Sequence, residues 1–529
     1  MRKRTLFLVF LVIISFSLCS QNIRLHDFPY SVYEATHSED ENFHLTVKPF
    51  LYKDFKKGDS IYYKEFPRKL DHSIFNKNLI NKESENFNIS LNPIIGSRVI
   101  YRYAQKKIFN ENSLGLNINS SITKRLKLSA DYFILRTNNP FFSSSFQDSA
   151  EIVPHFGKSI GTLGDAVLFH SLTGEIAFTA SENLHFHLGK GKHFFGNGYR
   201  SLFLSGNSNS YPYFKVTADI WRIKYVWLAA KLKDIKLIED EFDPSLYDKA
   251  VFMHYFSLNL TKRININFFE SVITNPYDPA GNRSGYEWSY FNPVVFYRPV
   301  EFYNGTSDNS IMGLGLNLRI FKSVHLYSQF ILDDLIISRI NDGSGWWGNK
   351  FGLQAGLKSF NTFKVKNLFI RGEINVIRPY TYAHGQSADI KDIPNLNYGN
   401  YLQPLAHPLG ANFAEGIIQL NYRKGRLISH AQLNIAKKGS DNDTISYGSN
   451  VYLSYNLRPD DYGIEFMQGN VVDLIYAKAG VSYIINPSWD LMLDANIQYR
   501  KISGIRNVDN VYFSFGISTK IFNVRNDYF

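Results

Sequence analysis

The chain has 529 residues, a formal net charge of +11 and one cysteine, Cys19. Aromatic residues make up 16% of it, with 34 Tyr and 43 Phe. A single cysteine excludes an intramolecular disulfide framework, so the fold must be stable without covalent cross-links. Such an aromatic content, combined with strand-length alternation of apolar and polar residues, is unusual for a soluble enzyme and typical of a transmembrane β-barrel.

The N-terminal stretch predicts export. Arg2, Lys3 and Arg4 form a positive region, and the apolar stretch 6–16 that follows is too short to span a bilayer. We therefore predict a signal peptide over residues 1–20. Residues 21–85 alternate poorly and are charged and turn-rich, which indicates a periplasmic N-terminal extension.

From residue 86 onward the apolar residues recur with a period of two. In the stretch 489–500, Leu493 and Ile497 fall on one face of a strand, and Asp494 and Arg500 fall on the other. Such polar groups cannot line a dry core without partners, but they can line a wet lumen. Alternation alone also fits a soluble β-sandwich with its apolar faces packed inward.

Connection lengths favour the barrel. Short turns alternate with long connections along the chain, which is the pattern of outer-membrane barrels and has no reason to persist in a sandwich. Residues 86–529 are therefore predicted to form an 18-stranded antiparallel transmembrane β-barrel in the cell outer membrane, with long extracellular loops and short periplasmic turns. The predicted strands are 86–104, 112–123, 125–137, 166–180, 183–191, 212–221, 222–234, 249–261, 263–273, 310–322, 323–335, 349–360, 363–378, 411–424, 425–438, 470–485, 488–502 and 511–523.

The long loops carry the candidate binding residues. Tyr and Trp rings stack on the apolar faces of sugars, and Arg binds carboxylates with two parallel hydrogen bonds. If the loops converge, their aromatic and cationic residues form an extracellular mouth suited to saccharides. Each residue has an alternative role in an interfacial girdle, in loop packing or in bracing the lumen. The candidates are Lys190, Lys192, Tyr199, Arg200, Tyr290, Tyr297, Arg298, Trp346, Trp347, Arg378, Tyr380 and Tyr382.

Catalysis is poorly supported by the sequence. The chain contains no G-x-S-x-G, H-E-x-x-H or phosphate-binding P-loop pattern. His185 and His187 alternate on one strand face, but no third metal ligand lies near them in the sequence. We predict no enzymatic activity, no metal, no cofactor and no nucleic-acid partner.

Several long motifs resemble a known family. They are GKGKHFFGNGYRSLFLS, YFNPVVFYRPVEF, GWWGNKFG, RPYTYAH and NYGNYLQPLAHPLGANF, in this order. Together they resemble the RemB-like gliding-motility proteins of the Bacteroidetes outer membrane, a group distantly related to the capsule-assembly Wzi family. The resemblance to Wzi implies an 18-stranded outer-membrane lectin that holds capsular polysaccharide at the surface. The resemblance to RemB implies a role in gliding motility.

The expected function follows from the fold and the resemblance. We expect a monomeric surface protein, surrounded by outer-membrane lipid, that associates with capsular polysaccharide or exopolysaccharide, with the gliding-motility machinery, or with both. The alternative is a diffusion porin for small solutes. The two differ in the lumen, which long charged side chains such as Lys215, Arg371 and Glu373 would plug if they were paired.

Overall fold

The computed structural model describes most of the predicted barrel and part of the N-terminal extension. The described residues are 31, 34–35, 44–51, 75–138, 152–236, 245–277, 282–293, 296–297, 299–300, 308–384, 395–442, 444–505, 507–520 and 527–528. The predicted signal peptide, 1–20, lies outside them, and so does the candidate binding residue Arg298.

Within the described residues, eighteen antiparallel strands form one closed barrel. The last strand pairs with the first, with Tyr512 opposite Arg102, so the sheet has no open edge. The strands are β1 (Asn88–Arg102), β2 (Lys107–Ser121), β3 (Leu126–Thr137), β4 (Ala166–Ser181), β5 (Leu184–Gly191), β6 (Tyr211–Ile220), β7 (Ile223–Lys236), β8 (Ser245–Asn259), β9 (Ile264–Thr274), β10 (Asn309–Phe321), β11 (Val324–Asp334), β12 (Lys350–Phe360), β13 (Leu368–Ile377), β14 (Phe413–Lys424), β15 (Leu427–Ser440), β16 (Asn470–Asn486), β17 (Leu491–Ser503) and β18 (Val508–Thr519).

The predicted strands are confirmed, with differences of a few residues at their ends. β2 begins at Lys107 rather than at 112. β13 begins at Leu368 rather than at 363, because a 3-10 turn over Thr362–Lys364 interrupts the extended backbone. Within this turn Phe363 has a φ of 54°, a conformation that no strand residue adopts.

The two faces of the barrel wall have opposite polarity. Leu314 and Ile418 point outward and are each 59% exposed, whereas Glu415 and Asp494 point inward and are buried. An apolar outer face matches the acyl chains of a bilayer, and polar inner residues need partners inside the barrel.

Helices contribute little to the structure. They include the five-residue helix Ile337–Asn341 and the short 3-10 turns Trp288–Phe291, Thr362–Lys364 and Tyr455–Leu457. Residues 31, 34–35, 297 and 299–300 are also helical. None of the described helices has the length and apolar character that a membrane crossing needs.

Segments from outside the wall fill much of the lumen. The short strand Val47–Lys48 pairs with Phe194–Phe195 inside the barrel, and Thr46 Oγ1 donates to Asn267 Oδ1 of β9 at 3.1 Å. Phe195, Leu202 and Leu405 belong to one apolar cluster with inward residues of β7 to β11. On another side of the lumen, Val153 packs against inward residues of β1, β3 and β4.

The described part of the N-terminal extension is therefore bound to the barrel. Residues 44–51 lie in the lumen, and Ile80–Glu83 pairs with the start of β1. At the end of the barrel that carries the short turns, Arg426 donates to the Phe75 carbonyl at 3.4 Å. The periplasmic location of 21–85 as a whole stays a prediction.

The outward orientation of Ile418 makes a testable prediction. Replacing Ile418 with Arg places a charge on the lipid face in the middle of β14, which we expect to reduce the free energy of unfolding by about 2–4 kcal/mol. The matched control is Leu457→Arg, at an exposed residue of a long loop, with an expected change within about 0.5 kcal/mol. Equilibrium urea unfolding of the barrel in lipid vesicles measures both. Equal losses in the two variants would contradict the assigned lipid face.

Candidate functional site

The loop between β5 and β6 enters the lumen. The sequence predicts that Tyr199 and Arg200 of this loop border the extracellular mouth, but Asn197 beside them lies deep inside the barrel. Its side-chain oxygen accepts from Lys358 Nζ at 3.1 Å, and its carbonyl accepts from Arg371 at 3.5 Å. Both partners lie near the short-turn ends of β12 and β13. The glycine-rich loop is thus a plug that crosses most of the depth of the barrel.

Arg200 anchors this plug to the wall. It is 2% exposed, and its guanidinium pairs with Glu415 at 3.1 Å and with Asp527 at 2.8 Å. The backbone N–H groups of Tyr199 and Arg200 donate to the two carboxylate oxygens of Glu373, at 2.7 and 3.0 Å. The Tyr199 hydroxyl donates to Asp527 at 2.8 Å. We call Tyr199, Arg200, Glu373, Glu415 and Asp527 the lumen network.

Charge pairing keeps this network ionised despite its burial. Burial by itself would lower the pKa of Arg200, but Glu415 and Asp527 raise that pKa well above its ordinary value. His407 Nε2 lies 2.6 Å from Glu415, and the backbone N–H of Leu409 donates to His407 Nδ1 at 3.2 Å. A neutral His407 with its proton on Nε2 fits both contacts, and burial lowers the pKa of His407 accordingly. The network therefore fixes the plug rather than offering a free cation.

Three other predicted residues of this region also lie apart from the mouth. Lys192 Nζ donates to the Gly206 carbonyl at 3.3 Å within the plug, and burial lowers the pKa of Lys192 to about 7. Tyr382 is buried, and its hydroxyl donates to the Leu202 carbonyl at 2.7 Å. Lys190 is exposed on the outer face of β5, whereas His187 is buried on the inner face of the same strand.

Tyr290 and Tyr297 lie outside the barrel. Both are buried against the outward side chain of Trp227, whose Nε1 donates to the Tyr297 hydroxyl at 2.7 Å. The Tyr290 hydroxyl donates to Asp308 at 2.8 Å. These two tyrosines are therefore separated by the barrel wall from Tyr199 and Arg200.

The structure does bring one group of predicted residues together at the mouth. Trp347 is half-buried, and the guanidinium of Arg458 lies 4.2 Å from the centre of its ring. Tyr455 is tilted against the same ring at 4.7 Å, and Tyr380 meets it edge-on at 6.1 Å. Two long loops hold this arrangement, because the Trp347 N–H donates to the Asp461 carbonyl at 3.0 Å.

Trp346 and Arg378 extend the group. Trp346 is half-buried, with its ring centre 5.9 Å from that of Trp347. Arg378 donates to the Trp346 carbonyl at 3.2 Å, and its guanidinium lies 5.8 Å from the Phe466 ring centre. We call Trp346, Trp347, Arg378, Tyr455 and Arg458 the aromatic rim.

Sequence reasoning missed Tyr455 and Arg458. It identified 439–469 as a long connection but singled out no aromatic or arginine residue within it. The signal is present in the stretch YNLRPDDYG, where aromatic residues flank an arginine and two acids. Arg458 pairs with Asp461 at 2.6 Å, and that ion pair holds the guanidinium over Trp347.

The histidines noted in the sequence are structural neighbours of carboxylates. His187 Nδ1 lies 3.4 Å from Glu175, and His185 Nε2 lies 4.0 Å from Asp219, both inside the barrel. Among the residues that the structure describes, no group of three or more His, Cys, Asp or Glu side chains is placed to hold a metal ion.

The barrel is similar to solved outer-membrane proteins. Over 95% of this chain and 98% of the other, it matches Wzi of Escherichia coli, a carbohydrate-binding β-barrel involved in group 1 capsule assembly, with a TM-score of 0.53 and 12% identity. OccAB2 of Acinetobacter baumannii matches over 82% of this chain and 97% of its own, with a TM-score of 0.43 and 9% identity. OccK8 of Pseudomonas aeruginosa matches over 82% of this chain and 98% of its own, with a TM-score of 0.42 and 12% identity. No protein-family model matches the sequence, and no curated protein matches it.

The fold and the polarity of the barrel wall together define the class of protein. A closed 18-stranded antiparallel barrel with an apolar outer face is an outer-membrane β-barrel, and the protein is located in the outer membrane. At 12% identity the likeness to Wzi shows this fold and nothing finer. The resemblance to RemB-like proteins stays a prediction.

The lumen network makes a second prediction. Arg200→Ala leaves Glu415 and Asp527 buried without their shared cation, which we expect to cost about 3–5 kcal/mol of unfolding free energy. Lys231→Ala is the control, because Lys231 is an exposed partner of Asp248 and such pairs contribute about 1 kcal/mol or less. Urea unfolding in vesicles compares the two variants. A loss at Arg200 no larger than that at Lys231 would show that the ion cluster does not anchor the plug.

Proposed function

We propose that the protein associates with surface polysaccharide through its aromatic rim. The observation that carries this proposal is the cluster of half-buried Trp346 and Trp347 with Arg458 and Tyr455 at the long-loop end of the barrel. Indole and phenol rings offer flat apolar faces to the C–H faces of sugar rings. In this proposal the protein is a binding surface and not an enzyme.

The cations of the rim favour an acidic polysaccharide. The guanidinium groups of Arg378 and Arg458 can each bind a uronic acid carboxylate with two parallel hydrogen bonds. Arg458 already pairs with Asp461, whose side chain is half exposed. A bound carboxylate therefore competes with Asp461, and we expect binding to weaken as salt increases.

Relatives support this choice without deciding it. Wzi, which shares the fold, is a carbohydrate-binding barrel involved in capsule assembly. The motif resemblance to RemB-like proteins implies gliding motility, and a surface that holds polysaccharide serves either role. A chromosomal Trp347→Ala allele, scored in parallel for capsule retention and for spreading on agar, separates the two.

A diffusion porin is the alternative, and the filled lumen argues against it. The plug, the segment 44–51 and residues of the loop 395–412 pack together inside the wall. Lys358 pairs with Glu34 at 2.8 Å, and Lys350 pairs with Asp333 at 3.1 Å, so long charged side chains are neutralised in place.

The rim predicts which variant loses the glycan. Trp347→Ala removes the ring against which Arg458 and Tyr455 are held, and we expect binding of the host's own acidic polysaccharide to weaken by about 2 kcal/mol, roughly 30-fold. The control is Trp221→Ala, at an exposed tryptophan in a turn at the opposite end of the barrel. Surface plasmon resonance with the reconstituted protein measures both. Unchanged binding in Trp347→Ala, or equal losses in the two variants, would remove the rim from the proposal.

The filled lumen predicts a low ion conductance. In planar bilayers we expect the wild-type protein to show no stable, large open-channel conductance, because the anchored plug obstructs the water path. A known diffusion porin inserted in the same bilayer is the positive control. A stable large conductance from the wild-type protein would favour the porin.

A further inference from the structure

The outer wall of the barrel carries polar groups at β8 and β9. His254 and Glu270 alternate with Tyr255 and Phe269, and those two aromatic residues face Phe195 inside the lumen. His254 and Glu270 therefore point away from the lumen, yet both are almost fully buried. Ionisable groups facing lipid are costly, so their cover is a necessary part of this wall.

The cover comes from residues 286–293, 296–297 and 299–300, which lie between β9 and β10. We call these residues the outer-wall segment. The Tyr297 ring centre lies 4.1 Å from that of His254, and Phe291 lies 4.8 Å from the outward ring of Phe252. Tyr290 meets Tyr297 edge-on at 5.8 Å. The inward side of the segment is thus packed against the wall by its own tyrosines.

The depth of these contacts places the segment beside the acyl chains. Phe296 contacts the outward ring of Phe268 at 5.6 Å. Phe268 is the fifth residue of β9. At about 2.5 Å of axial rise per tilted residue, it lies about 10 Å above the short-turn end, within a hydrophobic band about 25 Å tall.

Charges mark the upper border of this band on the same strands. Asp248, on the outer face of β8, pairs with Lys231 at 2.9 Å and Lys233 at 2.5 Å, and Arg283 lies 3.7 Å from it. The outer-wall segment begins just after Arg283 and runs below this cluster. Trp288, near the start of the segment, is therefore at the level where interfacial tryptophans are enriched.

The segment exposes three large apolar side chains, and Glu287 and Asn292 are exposed beside them. Trp288 is 83% exposed and Phe296 is 59% exposed, and Phe291 is exposed beside them. On the adjoining strands, Phe214 of β6 and Leu314 of β10 are also exposed on the outer face. The apolar side chains of the segment therefore continue the lipid-facing surface of its neighbours.

The backbone of the segment is adapted to a medium without water. Pro293 and Pro299 have no N–H group to satisfy, and the Pro293 carbonyl accepts from the Tyr225 hydroxyl. Irregular backbone is tolerated at membrane depth only where its polar groups find protein partners. We propose that the described residues of this segment form a membrane-inserted part of the wall, with Trp288, Phe291 and Phe296 in contact with lipid acyl chains.

Spin labels at single cysteines test this contact. In a full-length Cys19→Ser background, Phe296→Cys and Trp288→Cys are labelled and the protein is reconstituted in phosphatidylcholine vesicles. The controls are Leu314→Cys on the lipid face and Asp460→Cys on an exposed loop at the mouth. Collision rates with oxygen and with a water-soluble nickel complex are measured by electron paramagnetic resonance.

The labels distinguish lipid, water and protein around the segment. We expect the label at 296 to match that at 314, with high oxygen collisions and loss of the nickel collisions seen at 460, and the label at 288 to lie shallower. High nickel collisions at 296 would overturn the proposal by placing the segment in water. Low collisions with both reagents would overturn it by showing protein, such as a second copy of the chain, on this face.

Discussion

The constraint behind this structure is that a bilayer offers no hydrogen bonds to a polypeptide backbone. Every N–H and C=O group at membrane depth must find a partner in the protein, and closure of β18 onto β1 achieves this for the sheet. Closure also imposes the period of two, because alternate residues must face lipid and lumen. The amino-acid pattern from β1 to β18 is a consequence of that geometry.

The same geometry creates a second problem inside the wall. Polar inward residues of a wide barrel are stable only in water or against partners, and this chain supplies partners from its own loops. Glu373 accepts two backbone N–H groups of the plug, and Glu415 accepts the guanidinium of Arg200. The backbone N–H groups of the plug thus take the place that water would otherwise have as hydrogen-bond donors to the wall carboxylates.

This exchange explains what sequence could and could not predict. The wall was predictable because apolar and polar residues alternate along each strand, so the sequence itself indicates which face each residue occupies. Leu493 with Asp494 and Ile418 with Gln419 are two such pairs. The course of the loops was not predictable, because Arg200 and Trp347 both lie in glycine-rich stretches with aromatic and basic residues, GNGYRS and GWWGNK, and only long-range pairing separates them. Arg200 meets Glu415, 215 residues away, whereas Trp347 stays at the mouth with Arg458. The glycine-rich basic composition of 189–213 fits an external loop as well as a plug.

The aromatic residues have three separate roles in this molecule, and the overall aromatic content does not distinguish them. Phe195 and Phe203 fill the lumen, Trp346 and Trp347 border the mouth, and Tyr290 and Tyr297 seal polar groups on the outer wall. Only the second group combines partial exposure with adjacent arginines, which is the combination that recognition of an acidic sugar requires. The wall, the plug and the outer-wall segment share one physical role, because each keeps polar groups satisfied where water is excluded.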